Sequence, residues 1–152
     1  MNAKSNPRES LAYSLHRLSF ILQRISDDNL QANFGLGYSQ FKLMIGIKHN
    51  PGCEQRELAK FVGLTEAGIS RQLRLMHKSG LVTIGVDKKD SRRRQVELST
   101  KGTKLLTDAK KHLEAVHRDL FSSLSDADSE HLIKLTNHMF DLVKTRCLKT
   151  KA

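Results

Sequence analysis

Apolar residues recur at helical spacing along most of this chain, and the period changes in one short stretch. From about residue 9 to residue 33, Leu11, Leu15, Leu18, Leu22 and Ile25 step by four and three positions, which stacks them on one helical face. Tyr13, Phe20 and Ile21 widen the apolar surface beyond that stripe, so this helix needs more than one partner to cover it. Gly35 and Gly37 break the run. A short second helix carrying Phe41, Met44, Ile45 and Ile47 stops at His49-Asn50-Pro51-Gly52, because proline cannot donate to the helical ladder and glycine accepts unusual dihedrals. A third helix has Glu54 as its N-cap, Glu57 three residues on, and Leu58, Phe61 and Val62 turned inward, with Gly63 at its end. Thr65 caps a fourth helix that runs to Ser79, and Gly80 stands where a left-handed glycine closes a helix.

From Leu81 the pattern becomes that of strands. Leu81-Val82-Thr83-Ile84-Gly85-Val86 is short and β-branched, Gln95-Val96-Glu97-Leu98 alternates polar and apolar, and a charged turn joins them, which reads as a hairpin. Ser99 caps a fifth helix over residues 100–122, with Leu106, Ala109, Leu113, Val116 and Leu120 as its buried stripe. Ser125-Asp126-Ala127-Asp128 is a capping box that opens a sixth helix, with Leu132, Leu135, Met139 and Leu142 on one face. The fold class expected is mostly α with a small β wing. Residues 35–99 form a winged helix-turn-helix, and residues 9–34 and 100–148 form a helical dimerisation region to which Leu11, Leu15, Leu132, Leu135 and Met139 contribute. A hydrophobic fraction of 38% in 152 residues is modest for a self-sufficient monomer, in keeping with surface completed by a second copy.

Charge narrows the function. Lys and Arg number 26 against 16 Asp and Glu, a net +10, and the pI is about 9.9, so the field favours polyanions. Between Ser70 and Arg94 eight cationic side chains face two acidic ones, more than half of the excess. The helix-turn-helix spacing lies in the same region: residues 54–62, the Gly63-Leu64 turn, then residues 65–79. On the second of these helices Ile69, Leu73 and Met76 recur at four and three residues and point inward. At roughly 100° per residue the opposite face holds Ala67, Arg71, Arg74 and Lys78. An outward row of long cationic donors is what a helix entering the major groove requires, since arginine binds guanine O6 and N7 bidentately or clamps a phosphate. Thr65, Glu66 and Ser70 at the N-terminal end add candidate base or phosphate contacts. In the hairpin, Lys88, Lys89, Arg92, Arg93 and Arg94 are placed to reach the adjacent minor groove or its phosphates, and Asp90 reads as structural. The alternative for all of these cations is a solvated surface.

Gln55-Arg56-Glu57-Leu58-Ala59, Gly63-Leu64-Thr65, Ile69-Ser70-Arg71-Gln72-Leu73, Gly80-Leu81-Val82, and Asp90-Ser91-Arg92 ahead of Val96-Glu97-Leu98-Ser99 and Gly102 together carry a resemblance. The chain resembles the MarR (multiple antibiotic resistance regulator) family of bacterial transcription regulators over nearly its whole length. The resemblance implies a triangular dimer built from the first, fifth and sixth helices, Arg92 in the minor groove and Asp90 holding the wing. It also implies a regulator, usually a repressor, released by a small ligand such as a phenolic or other aromatic acid. The chain departs from the family where the first wing strand ends, which often carries arginine there and reads Ile84-Gly85-Val86 here.

Other chemistry is sparse. Cys53 and Cys147 have no zinc-knuckle spacing, and neither falls in the first helix, where some family members sense peroxides. Cys53 before an N-cap reads as a small apolar residue packing toward Leu58, with a redox switch as the rival reading. The seven histidines include pairs five and seven apart, not the four-residue step that puts two imidazoles on one metal, so no metal is expected. No Gly-rich phosphate loop or nucleophile motif marks an enzyme. No cofactor is expected beyond a small-molecule effector. The polar start and the lack of any span-length apolar run read as a cytoplasmic protein with no membrane partner. The reading is a sequence-specific homodimer on double-stranded DNA with a pseudo-palindromic operator. The rivals are a cysteine-based redox regulator, a sequence-independent architectural DNA-binding protein, and a basic protein with an acidic protein partner.

Overall fold

A computed structural model describes residues 7–52, 54–86 and 94–149. The elements run α1 (Pro7–Phe34), α2 (Tyr38–His49), α3 (Gln55–Val62), α4 (Glu66–Lys78), β1 (Val82–Val86), β2 (Arg94–Leu98), α5 (Thr100–Leu120) and α6 (Asp126–Lys149). The chain divides into two compact units, Met1–Leu113 and Glu114–Ala152, with the boundary inside α5.

In the first unit, α1 to α5 and the hairpin share one apolar core. Leu30, Leu36, Leu43, Met44, Ile47, Leu58, Ile69, Leu73, Met76, Val82, Val96 and Leu106 are all nearly or wholly buried. Each fully buried side chain of this size contributes roughly 1.5–3 kcal/mol, so this core, rather than helix propensity, holds the short α3 in place. The junction of α1 and α2 satisfies its own polar groups. Gly35 takes φ 60, Gly37 N–H donates to Gln40 Oε1 at 3.2 Å, and Tyr38 N–H donates to Asp27 Oδ1 at 2.7 Å. Asp27 thus caps the helix that follows its own. The buried hydroxyl of Ser26 donates to Leu22 O at 2.8 Å.

β1 and β2 pair antiparallel with Val82 opposite Leu98, Ile84 opposite Val96 and Val86 opposite Arg94. Period two puts Val82, Ile84, Val96 and Leu98 on the core side, and their burial follows that alternation. The start of α5 is capped by Ser99, whose Oγ accepts from Gly102 N at 2.9 Å, and Leu106, Ala109 and Leu113 join the core. Phe61 differs from expectation. The apolar pattern predicts an inward ring, yet Phe61 is 56% exposed, while Ala59 is buried beside Leu58 and Val62. At roughly 100° per residue, Leu58, Ala59 and Val62 cluster on one face and Phe61 falls to its side. Its ring edge covers Gly46, where an added Cβ would lie 2.9 Å from Phe61 Cδ1.

In the second unit, Ser125 Oγ accepts from Asp128 N at 3.1 Å and donates to Asp128 Oδ2 at 2.6 Å, which starts α6. Along α6, Leu132, Ile133, Leu135, Phe140, Leu142 and Val143 are exposed and Met139 is half-buried. Leu120, expected in the buried stripe of α5, is 44% exposed, and Val116 is half-buried. No helix among the described residues is long and apolar enough to cross a membrane.

Candidate nucleic-acid interface

The sequence between α3 and α4 makes a tight turn because Gly63 takes φ 72, a left-handed value, and Leu64 N–H closes back on Ala59 O at 3.0 Å. At the start of α3, Glu54 N–H donates to Glu57 Oε2 at 3.4 Å and Glu57 N–H to Glu54 O at 3.0 Å. At the start of α4, Thr65 Oγ1 accepts from Gly68 N at 3.1 Å. The inward face of α4 is sealed: Ile69 is 0%, Leu73 1% and Met76 1% exposed. The opposite face carries Ala67, Arg71, Arg74 and Lys78, all exposed. Arg74 Nε lies 3.4 Å from Ser70 O, so its guanidinium runs back along its own helix. Ser70 is half-buried. Glu66, the first residue of α4, faces Arg56 of α3, with Oε1 3.9 Å from Nε.

The C-terminal end of α4 is held by a closure of its own. Gly80 at φ 71 completes a Schellman closure, with Gly80 N–H to His77 O at 2.9 Å and Leu81 N–H to Met76 O at 2.8 Å. The next three carbonyls then find donors at the head of α5. Lys101 Nζ donates to Ser79 O at 2.8 Å, Ser99 Oγ to Gly80 O at 2.6 Å, and Ser99 N to Leu81 O at 3.0 Å. Gly102 packs so closely on this closure that a Cβ there would collide with the Leu81 carbonyl oxygen. His77 Nδ1 faces Val82 O at 3.0 Å; a carbonyl only accepts, so that nitrogen carries the proton.

Of the residues singled out in the sequence, Thr65, Glu66, Ala67, Ser70, Arg71, Arg74 and Lys78 come together on α4 and its cap. Lys88, Lys89, Asp90, Arg92 and Arg93 lie outside the described residues. Arg94 begins β2 opposite Val86. Arg56 and Lys101 join this region without a sequence signal of their own: Arg56 lies within a motif of the family resemblance, and Lys101 follows a cap with no spacing to mark it. Among the described residues, no three His, Cys, Asp or Glu side chains gather to hold a metal ion.

A buried three-residue stripe, a cationic outward face and a paired hairpin behind it define a winged helix-turn-helix DNA-binding protein. The MarR family model matches residues 34–93, from the end of α1 to the residue before β2. The transcriptional regulator HosA of Escherichia coli O157:H7 is 31% identical over 102 residues, which is 67% of this chain and 76% of that protein. The chain belongs to the MarR family and is a transcription regulator, as its relatives are, and not an enzyme. Solved structures agree on the fold. The transcriptional regulator BldR from Sulfolobus solfataricus superposes with a TM-score of 0.79 at 21% identity, covering 91% of this chain and 97% of that one. The transcriptional repressor CouR, bound to a 23-mer DNA duplex, does so with a TM-score of 0.76 at 23% identity, covering 93% and 99%.

Proposed function

We propose that this regulator is a homodimer that binds a pseudo-palindromic operator through two copies of α4, represses the genes behind it, and is released by a small aromatic acid. The observation that carries the reading is the two-sided character of α4. Ile69, Leu73 and Met76 fix its orientation from inside, so Arg71, Arg74 and Lys78 face outward together. Twofold symmetry then presents two such helices to one face of the duplex, with half-site centres about one helical turn, ~10 bp, apart. The wing cations, Arg92 first among them, add minor-groove and phosphate contacts.

Residues 9–34 and 100–148 are the proposed dimerisation region. Leu11, Leu18 and Phe20 of α1, and Leu132, Leu135 and Phe140 of α6, are each exposed in the single chain. Apolar surface of this extent on two long helices calls for a covering partner, and a second copy supplies the same chemistry in return. For the effector, an open groove of about 370 Å³ lies between α1 and α2, lined by Phe20, Gln23, Arg24, Asp27, Tyr38 and Ser39. Its two aromatic rings suit a flat apolar body, and Arg24, 3.9 Å from Asp28 Oδ2, would have to exchange that exposed partner for the carboxylate of the acid.

The test is selection of bound duplexes from a random pool, followed by titration of the selected site against a scrambled one. The specific reading expects a preference of ~10³-fold or more. Equal binding to both would replace it with a sequence-independent architectural role.

A further inference from the structure

Glu66 is a carboxylate at the DNA-facing end of α4 in a chain of net charge +10, where every phosphate of a duplex repels it. A negative charge in the first turn complements the positive end of the helix dipole, which accounts for stability but not for a partner. That partner comes from the preceding helix: Arg56 Nε stands 3.9 Å from Glu66 Oε1, with the side chains 72% and 67% exposed. An ion pair this exposed contributes little to folding. Its place in the fold gives it another use. In a helix-turn-helix the N-terminal residues of the second helix reach base edges while the first helix crosses the sugar-phosphate backbone. Glu66 is the first residue of the second helix and Arg56 the second residue of the first.

We propose that Glu66 is a specificity-determining residue that accepts a hydrogen bond from the N4 amino group of a cytosine in each half-site, and that Arg56 is its positioning residue, bridging the carboxylate to a phosphate. The inference rests on the sequence-specific reading given above. An ionised carboxylate only accepts, so it needs a donor on the base edge. In the major groove guanine and thymine offer acceptors alone, and adenine sets its N6 donor beside the N7 acceptor, a pattern matched by an amide rather than a carboxylate. Cytosine alone presents its amino donor without an adjacent ring acceptor. The planar guanidinium of Arg56 has donors on two edges, one for Glu66 and one for a phosphate oxygen. Once the groove excludes water, the pair that is weak in solvent becomes a fixed tooth that rejects guanine by repulsion.

The test is selection from a random duplex pool with the wild-type chain, Glu66→Gln and Arg56→Ala, each checked for an unchanged thermal midpoint and oligomeric state, followed by titrations on the selected site. Wild type is expected to select cytosine at one position per half-site. Glu66→Gln is expected to lose that preference or turn it to adenine, and to weaken binding to the cytosine site relative to its substituted versions by roughly 10- to 100-fold. Arg56→Ala is expected to relax the same position, to leave the other positions unchanged and to lower the salt slope by about one unit. If Glu66→Gln keeps every base preference of wild type and only tightens binding evenly on all sequences, Glu66 serves the helix dipole alone and the proposal is overturned. The same follows if Arg56→Ala weakens all sequences equally without relaxing that position, which makes Arg56 a phosphate contact only. A wild-type chain with no base preference at any position would overturn the sequence-specific reading itself, a result distinct from a preference that ignores Glu66.

Discussion

Replacing Gly102 by alanine isolates the junction between α4 and α5. The added Cβ would strike the Leu81 carbonyl oxygen, with the Leu81 carbon at 3.0 Å and Cα at 3.3 Å, and all three are backbone atoms that no rotamer change can move aside. Overpacking of this kind costs about 1–3 kcal/mol. If the head of α5 backs away, the bonds from Lys101 Nζ to Ser79 O, at 2.8 Å, and from Ser99 Oγ to Gly80 O, at 2.6 Å, lengthen as well. Each is worth about 1 kcal/mol net. Alanine returns about 1 kcal/mol in helix propensity. The expected destabilisation is therefore about 2–4 kcal/mol. Urea unfolding at fixed protein concentration measures it as a lower midpoint with an unchanged slope. Gly85→Ala is the control, since a Cβ there meets nothing within 4 Å and φ is not left-handed; it should be neutral or slightly stabilising. A Gly102→Ala chain within about 0.5 kcal/mol of wild type, the ordinary range for surface substitutions, would refute the close approach.

Arg71→Ala or Arg74→Ala should cost about 1–3 kcal/mol on the selected operator and relax one position per half-site; unchanged affinity in both, by fluorescence anisotropy, would show the reading face to be wrongly assigned. Arg92→Ala should weaken operator and scrambled DNA by similar factors and lower the salt slope by about one unit, measured at several salt concentrations. Sedimentation at micromolar concentration should give twice the chain mass of 17.2 kDa, and Leu132→Lys with Leu135→Lys should return a folded single chain; a monomeric wild type excludes the dimer. Cys53→Ser should leave DNA release by peroxide as it is in wild type, and loss of a wild-type response would establish a redox regulator in its place.

Much of α4 was legible in the sequence because local rules and the tertiary fold agree there. Ile69, Leu73 and Met76 announce a buried stripe by spacing alone, and the outward row follows by subtraction. Caps were legible for the same reason: Thr65, Ser99 and Ser125 all bond within three residues, and Gly80 closes α4 locally. Contacts across the chain left no such trace. Asp27 bonds Tyr38 eleven residues on, and Lys101 reaches Ser79 twenty-two residues back, and neither distance has a sequence period. Phe61 shows a different failure, because counting apolar residues in a helix of eight without their angles put it on a face that Ala59 occupies. Leu120 shows a third: periodicity says which face of a helix is apolar, not how far along it the cover extends.

The anchoring of α4 bears on the proposed release. Its C-terminal end is tied to residues 99–102 by three hydrogen bonds and a backbone approach with no slack, and its N-terminal end is held by the Thr65 cap, the Leu64–Ala59 turn bond and the buried Ile69. A rotation of the head of α5 would act first on the carbonyls of Ser79, Gly80 and Leu81, and a tilt of α4 as one body about that end would move Glu66, Ala67 and Arg71 most. With 13 residues α4 is roughly 20 Å long at about 1.5 Å per residue. A tilt of about 3° at the anchored end displaces the far end by about 1 Å. Base-edge hydrogen bonds weaken steeply over that range, while phosphate contacts from long flexible lysines stretch to follow it. On the proposed reading, a ligand that turned the head of α5 would need only a small angular change to lower operator preference, and the test is whether it leaves affinity for scrambled DNA largely in place.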